Sequence, residues 1–175
     1  IRDENIRNIS AMKIDVEGNE ESIIIPFLDC AEKKLLPLIM IIEKNDDFWK
    51  TNVEFTKLVF DTAQNKNIRV IYASSSACKR WYGNPYSISK YVNEFIAPKN
   101  SVGLRFSTVW GPGARGDMLV PQIENKTLKF ATTHKRDLIH VSDVVSAIQT
   151  IIDHPTQTGV FEVGTGKTVK VDELV

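Results

Sequence analysis

The chain has 175 residues, of which 42% are hydrophobic and 25% charged, and its formal net charge is zero. This length suffices for one domain with a real core, and the balanced charge argues against nucleic acid or an anionic membrane as a partner. Two isolated cysteines and three scattered histidines predict no metal site and no disulfide framework. The charged N-terminus and the lack of a long apolar run predict a protein of the reducing cytoplasm that spans no membrane.

The hydrophobic pattern predicts strands alternating with helices. Near the start it favours strands at residues 11–16 and 38–42, joined by a helix over residues 20–34. The later elements are a helix over residues 48–65, a strand over 101–109, a short helix over 117–128, a helix over 144–153 capped by Ser142 or Asp143, and a strand over 159–163. This alternation is typical of an α/β fold with a parallel sheet and helices on both faces.

Residues 68–97 carry the pattern with the most chemical content. The apolar run at residues 70–73 suits a buried strand, which ends in three consecutive serines at residues 74–76. A Gly-Asn-Pro turn follows at residues 83–85, and its proline suits the first position of a helix over residues 86–97. The apolar side chains of that helix predict its buried face: Ile88, Tyr91, Val92, Phe95 and Ile96.

Tyr86 and Lys90 are four residues apart, so their side chains share one face of the predicted helix. A free phenol has a pKa of about 10 and is a poor base, but an ammonium within about 4–6 Å favours the phenolate. A serine at the strand end would hold a substrate hydroxyl against the phenolic oxygen. These three groups predict a proton-transfer site, whose usual hydride partner is a nicotinamide cofactor.

The motifs YASSSACK and NPYSISKYVNE resemble those of the extended short-chain dehydrogenases/reductases, specifically the NAD-dependent nucleotide-sugar epimerases and dehydratases. The resemblance implies a Rossmann-like, doubly wound parallel sheet, with Ser76, Tyr86 and Lys90 as catalytic residues. Ser76 would hold the sugar hydroxyl, Tyr86 would move its proton, and Lys90 would lower the pKa of Tyr86 and hold the nicotinamide ribose. Ser74 and Ser75 would lie along NAD or NADP, together with Tyr86 and Lys90.

Further segments extend this resemblance over residues 48–175. WKTNVEFTKLVFDTAQ resembles the family helix beside the cofactor and places Asn52 at its signature asparagine, where a cofactor contact and a helix cap are equally good interpretations. SVGLRFSTVWGP resembles a loop near the sugar nucleotide, with Thr108 in place of the family's asparagine. Arg136 matches an arginine that contacts substrate phosphates in several relatives, and a surface pair with Asp137 is a near-equal alternative.

The front of the chain departs from this family. The family opens with a GxxGxxG turn that seats the pyrophosphate on a helix N-terminus, and no such turn precedes residue 68. Instead, MKIDVEGNEESI and LPLIMIIE, within residues 11–43, resemble the closing part of FkbM-type methyltransferases, which bind S-adenosylmethionine. We therefore expect a methyltransferase-like β-α-β segment over residues 1–47 joined to an epimerase-like part over residues 48–175, in one continuous sheet that is truncated or hybrid at its N-terminus.

These patterns leave three functions open. The first is an NAD(P)-dependent epimerase or dehydratase that acts on a nucleotide sugar, with a homodimer through the helix over residues 86–97 expected by family analogy. The second is a non-catalytic or incomplete remnant of such an enzyme, which the missing glycine turn favours. The third is an S-adenosylmethionine-dependent methyltransferase fragment that uses Asp15 and Glu17, although a solvated turn explains those residues better.

Overall fold

The computed structural model of the chain describes residues 12–14, 40–42 and 49–175, with side chains from residue 49 onward. Three features that the sequence singles out lie outside the described residues: Asp15, Glu17 and the predicted helix over residues 20–34. The methyltransferase-like interpretation and the division at residue 47 therefore stay predictions.

The chain forms two compact units. The first unit ends at Arg105 and also includes Thr156–Phe161, whereas the second comprises Phe106–Pro155 and Glu162–Val175. Each unit has strands, helices and buried apolar side chains of its own among the described residues.

The described strands belong to three sheets. They are β1 Met12–Ile14, β2 Met40–Ile42, β3 Ile71–Ser75, β4 Val102–Phe106, β5 Thr108–Trp110, β6 Lys135–His140, β7 Gly159–Val163 and β8 Thr168–Lys170. β1 and β2 pair in parallel, and a second sheet has the order β3-β4-β7. In the third sheet β6 lies between a parallel neighbour, β5, and an antiparallel one, β8, which was not predicted.

Among residues 49–175 there are four α-helices and three helical segments of other types. The α-helices are α1 Thr56–Asn65, α2 Pro85–Ile96, α3 Leu119–Glu124 and α4 Val141–Asp153. The other segments are a π-helical turn at Lys50–Phe55, which leads into α1, and 3₁₀ segments at Ser76–Gly83 and Val171–Glu173. No helix in the described part of the chain is both long and apolar enough to cross a membrane.

The turn before α2 is confirmed. β3 continues through Ser75, two residues beyond the predicted strand, and the 3₁₀ segment then leads to Asn84. The side-chain oxygen of Asn84 accepts a hydrogen bond of 2.8 Å from the backbone N–H of Ser87, and Pro85 occupies the first turn. Because both residues favour a helix start, the position of Tyr86 at the head of α2 follows from local sequence.

Two predicted boundaries were wrong. The single strand expected over residues 101–109 is divided at Ser107, whose backbone N–H and hydroxyl both donate to the carbonyl of Val163, at 3.0 and 3.2 Å. Helix α4 begins at Val141, and its cap is His140 rather than Ser142 or Asp143. The His140 ring nitrogen Nδ1 accepts from the backbone N–H of Ser142 at 3.3 Å.

An aromatic cluster fixes β3 in the first unit. Phe60 of α1 and Tyr72 of β3 are both buried, and their rings pack edge to face with centroids 5.2 Å apart. Gly103 of β4 leaves room for Tyr72, because a Cβ at that position would lie 2.6 Å from the phenol. Full burial of a large apolar side chain contributes about 1.5–3 kcal/mol, so this cluster holds β3 firmly against α1.

The predicted buried face of α2 was wrong for Phe95, whereas Ile96 does pack against the core cluster of the first unit. Phe95 is 73% exposed, and the other four predicted side chains are only half-buried. The side chains that α2 does bury are polar: Ser87, Ser89, Lys90 and Asn93. A buried polar group is costly unless it is hydrogen-bonded, so the partners of this face define the site described next.

Candidate active site

Lys90, in the middle of α2, is bonded to the central residue of β3. Its side chain is buried, with 5% of the residue exposed, and its Nζ donates to the backbone carbonyl of Ala73 at 3.4 Å. The same Nζ lies 5.8 Å from the centre of the Tyr86 ring. The predicted pair of Tyr86 and Lys90 therefore exists, and its ammonium bonds to the central residue of β3.

Two consecutive hydrogen bonds connect the π-helical turn to the backbone of Tyr86. Asn52, in the π-helical turn, is 3% exposed, and its Nδ2 donates to the hydroxyl of Ser89 at 3.0 Å. Ser89 in turn donates to the backbone carbonyl of Tyr86 at 2.8 Å. The π-helical turn begins after Trp49 without any side-chain cap, so the helix-cap interpretation of Asn52 was wrong. Asn52 instead anchors the first turn of α2.

The three serines at the end of β3 have three different environments. Ser74 is 4% exposed, and its hydroxyl donates to Glu94 Oε1 at 2.5 Å. The hydroxyl of Ser75 accepts from the backbone N–H of Ala77 at 3.2 Å and so caps the 3₁₀ segment. Ser76 is half-buried and is the first residue of that segment, which packs against α2.

Glu94 forms a largely buried ion pair that the sequence analysis missed. Arg105 of β4 binds it through two hydrogen bonds, Nε to Oε1 at 2.8 Å and Nη2 to Oε2 at 2.6 Å. The two side chains are 22% and 8% exposed, for Arg105 and Glu94 respectively. Two signals were available: Glu94 lies one turn after Lys90 on α2, and Arg105 interrupts an otherwise apolar strand.

Burial sets the protonation states around this pair. It raises the pKa of the Tyr72 phenol, and the negative charge of Glu94 raises it further. Burial also raises the pKa of the Cys78 thiol, so both groups stay neutral at pH 7. For Glu94 burial alone would raise the pKa, but hydrogen bonds from Arg105 and Ser74 and the charge of Arg105 hold it below its usual range. Tyr72 and Cys78 are thus poor candidates for proton transfer.

The second unit holds the two remaining predicted residues on one sheet. Thr108 of β5 pairs with Leu138 of β6, and Arg136 lies two residues before Leu138 on the same strand. Because side chains alternate along a strand, Arg136 and Thr108 belong to the same face of this sheet. Arg136 is exposed, and its Nη1 donates to the backbone carbonyl of Lys135 at 3.4 Å.

Asp137 holds a loop in the second unit. Its carboxylate accepts from the backbone N–H groups of Thr165 and Gly166, both at 2.9 Å, and from the Thr165 hydroxyl at 2.7 Å. Gly164 allows this close approach, because a Cβ there would lie 2.5 Å from a carboxylate oxygen of Asp137. The loop after β7 is thereby fixed to β6.

A cavity of about 460 Å³ follows β5 in the second unit. Trp110 and His140 form one side of it, with ring centroids 4.8 Å apart. Gly111 has φ of +134°, and a Cβ there would lie 2.8 Å from Val141 and 3.0 Å from His140 Nε2. Only glycine lets the WGPG loop pass this close to the start of α4.

Comparison with known proteins identifies the family. The model of the NAD dependent epimerase/dehydratase family matches residues 41–164. The chain belongs to this family. The predicted family and the Rossmann-type α/β fold class are therefore confirmed.

Individual relatives of this epimerase/dehydratase family add detail. The chain is 30% identical to the ADP-L-glycero-D-manno-heptose-6-epimerase of Brachyspira hyodysenteriae, over 71% of this chain and 50% of that protein. A structure of MoeE5 in complex with UDP-glucose and NAD superposes with a TM-score of 0.71 at 25% identity, covering 85% of this chain and 62% of that one. UDP-N-acetylglucosamine 4-epimerase from Bacillus cereus shares the fold, with a TM-score of 0.71 at 13% identity over 94% of this chain and 70% of that one. The chain spans about half the length of the curated relatives it matches.

Proposed function

We propose that this chain carries the proton-transfer centre of an NAD(P)-dependent epimerase or dehydratase for a nucleotide sugar. Tyr86 moves the proton of a sugar hydroxyl, Lys90 stabilises the phenolate, and Ser76 holds the hydroxyl in place. The observation that carries the proposal is the buried Lys90 ammonium, 5.8 Å from the centre of the Tyr86 ring and bonded to the backbone carbonyl of Ala73 in β3. A lysine is almost never this deeply buried unless it is paired, so a 5% exposed Lys90 beside a tyrosine favours a role for its charge.

The surrounding residues prepare Tyr86 for this role. A cation close to a phenol favours its ionised form, and the interaction is stronger in a buried site than in water. The hydrogen bonds from Asn52 through Ser89 to the carbonyl of Tyr86 fix the first turn of α2, so the phenol and the ammonium keep a constant separation. Ser76 begins the segment that packs on the same helix, which supports its role beside the phenol.

The residues at the end of β3 fit the nicotinamide end of the cofactor. A bound nicotinamide supplies the hydride acceptor that no side chain provides. Lys90 is a hydrogen-bond donor suited to the ribose hydroxyls, and Ser75, half-buried at the strand end, would lie along the cofactor. Asn52 and Ser74 donate to Ser89 and Glu94, so their proposed cofactor contacts would use the second N–H or the amide oxygen of Asn52 and the hydroxyl oxygen of Ser74 as an acceptor. NAD and NADP both remain candidates.

The second unit supplies the proposed contacts to the nucleotide sugar. An exposed guanidinium can bind two phosphate oxygens at once, which suits Arg136 to a diphosphate. Thr108, on the same sheet face, would donate or accept one further hydrogen bond. The names of the relatives support this substrate class, because one acts on an ADP-linked heptose and another binds UDP-glucose.

Cofactor binding tests the proposal directly. We expect NAD(H) or NADP(H) to bind the purified chain with micromolar affinity in calorimetry, and Lys90→Met to weaken that binding at least tenfold. Lys99→Met, which removes an exposed lysine of the same unit, is the matched control and should bind normally. Absence of binding at millimolar cofactor, from a chain that circular dichroism shows to be folded, would overturn the stand-alone enzyme.

The remnant interpretation is the second candidate. The observation that favours it concerns residues 1–67, in which Gly18 is the only glycine, so these residues do not themselves form a pyrophosphate turn of this family, which needs several glycines. A remnant predicts that the chain binds a nucleotide sugar through Arg136 without binding the dinucleotide. Calorimetry with UDP-glucose alongside the cofactor titration separates the two candidates.

We also propose a homodimer through α2. Phe95 and Tyr82 are more than 70% exposed, and Tyr91 stacks with Trp81 at 5.6 Å, so an ordered aromatic patch borders the helix. In sedimentation velocity the unaltered chain should have twice the 19.8 kDa mass of one chain, and Phe95→Asp should have the mass of one chain. Phe130→Asp is the control, because Phe130 is 79% exposed in the second unit. A single mass for the unaltered chain at about 100 micromolar, on the order of the dissociation constant of a weak dimer, would contradict the dimer.

A further inference from the structure

Glu94 connects four elements of the first unit. It lies on α2, accepts from Ser74 of β3, and is bound on its other side by Arg105 of β4. Cys78, in the 3₁₀ segment, lies 3.4 Å from the Ser74 hydroxyl and also contacts Glu94. One carboxylate therefore ties both strands and the connecting segment to the helix.

The proposed proton-transfer residues lie between Ser74 and Glu94 in the sequence. Ser74 lies two residues before Ser76 on the same chain segment, and Glu94 lies one helical turn after Lys90. A shift of β3 along α2 would therefore change the distance from Ser76 to Tyr86. The short hydrogen bond between Ser74 and Glu94, at 2.5 Å, opposes such a shift because a charged hydrogen bond is directional.

We propose that Ser74, Glu94 and Arg105 form a clamp that sets the position of Ser76 relative to Tyr86 and Lys90. The catalytic importance of the position of Ser76 rests on the proposed function. The claim that the three residues hold β3 against α2 does not, and it can be tested separately. The three members of the clamp are positioning residues, since they act through Ser76 and α2 and touch no reacting atom.

Physical reasoning favours positioning over stability as the role of this pair. A buried ion pair is often no more stabilising than apolar side chains of the same size, because desolvation offsets the attraction between the charges. Its geometry is narrower, however, since the guanidinium and the carboxylate meet in one plane through two hydrogen bonds. Such a pair suits a place where an ångström of slippage would misalign reacting groups.

Ser74→Ala tests the clamp with a small change. The substitution removes the link from β3 to Glu94 and leaves the Glu94–Arg105 pair in place. Ser101→Ala is the matched control, because Ser101 is 5% exposed and its hydroxyl donates to the carbonyl of Pro98 at 2.6 Å. We expect amide hydrogen exchange over residues 76–90 to rise about tenfold in Ser74→Ala and to stay unchanged there in Ser101→Ala.

Either of two exchange results would overturn the clamp. One is unchanged exchange over residues 76–90 in Ser74→Ala. The other is an equal rise throughout the first unit in both variants, which would mean a general loss of stability. Should Ser74→Ala fail to fold, Ser74→Cys keeps the size of the side chain, replaces the hydroxyl with a weaker thiol donor and leaves the Glu94–Arg105 pair in place, and it should give a smaller rise over the same residues.

Turnover separates the clamp from the proposed function. With a nucleotide sugar that the unaltered chain converts, Ser74→Ala should lower kcat about 10- to 100-fold and change the KM for substrate less than twofold. An unchanged kcat with faster local exchange would show that the contacts do not position the reacting groups. Failure of the unaltered chain to bind cofactor or turn over would refute the proposed function, while the exchange experiment would still decide the clamp.

Discussion

The two units hold their charged groups in opposite ways. In the first unit Lys90 and the side chain of Glu94 are more than 90% buried, and each is bonded to another element. In the second unit Arg136 is exposed, and Asp137 is half-buried and holds a loop mainly through backbone N–H groups. Buried charges have fixed positions and stronger fields, which suits a reaction centre, whereas an exposed guanidinium suits reversible binding of phosphates.

The helices of the two units show the same contrast. On α4, Ser146 and Thr150 donate to carbonyls four residues earlier, and both side chains are exposed. On α2, Ser89 makes a similar bond to Tyr86 but is 0% exposed and also accepts from Asn52, 37 residues away. A hydroxyl that bonds only within its own helix has a local role, whereas one with a distant partner joins two elements.

The largest expected effect separates reaction from binding. Tyr86→Phe removes the proposed proton-transfer group, so kcat for a nucleotide sugar should fall about 1,000-fold while cofactor affinity stays within a factor of about three. Tyr82→Phe, at an exposed tyrosine of the same unit, is the control and should keep full activity. Equal activity losses in the two variants, measured as product formed per minute, would contradict the assignment of Tyr86.

The next largest effect concerns stability and compares the carboxylates of Glu94 and Asp137. Glu94→Gln leaves Arg105 without its counter-charge in a largely buried place, and we expect the free energy of unfolding to fall by about 3 kcal/mol. Asp137→Asn keeps one acceptor oxygen for the backbone N–H groups of the loop, so we expect the free energy of unfolding to fall by only about 1 kcal/mol. Urea unfolding followed by circular dichroism measures both, and a larger cost for Asp137→Asn would reverse the comparison between the units.

A smaller effect concerns the exposed arginine. Arg136→Met should raise the KM for a nucleotide sugar about 10-fold with kcat nearly unchanged, since one charged hydrogen bond to phosphate contributes about 1.5–3 kcal/mol. Lys135→Met is the matched control, because Lys135 is the neighbouring exposed residue on the other face of β6. An equal rise in KM for both variants would indicate general attraction of charge and no specific phosphate contact.

Local sequence predicted the parts of the site that depend on local geometry. Tyr86 and Lys90 follow from helical spacing, and the start of α2 follows from Asn84 and Pro85. The buried face of α2 could not be predicted in this way, because hydrophobic periodicity assigns the apolar side chains of a helix to its buried face. The partners that bury Ser89 and Glu94 come from other elements, and no spacing within α2 reveals them. The break at Ser107 likewise depends on Val163, 56 residues away.

Lowering the pH should reveal the contribution of Glu94 to the free energy of unfolding, and this is the smallest of the four predicted effects. The folded pKa of Glu94 lies below its unfolded value of about 4.3, so the ionised pair stabilises the fold above that pH. This stabilisation is lost as the pH falls through the folded pKa. The difference in unfolding free energy between the unaltered chain and Glu94→Gln should therefore stay constant from pH 7 to about 5 and shrink towards pH 3. Glu54→Gln, at an exposed carboxylate of the same unit, is the control. A difference that persists undiminished at pH 3 would mean that the charge on Glu94 does not support the fold, and the contrast between the two units would then rest on hydrogen bonding alone.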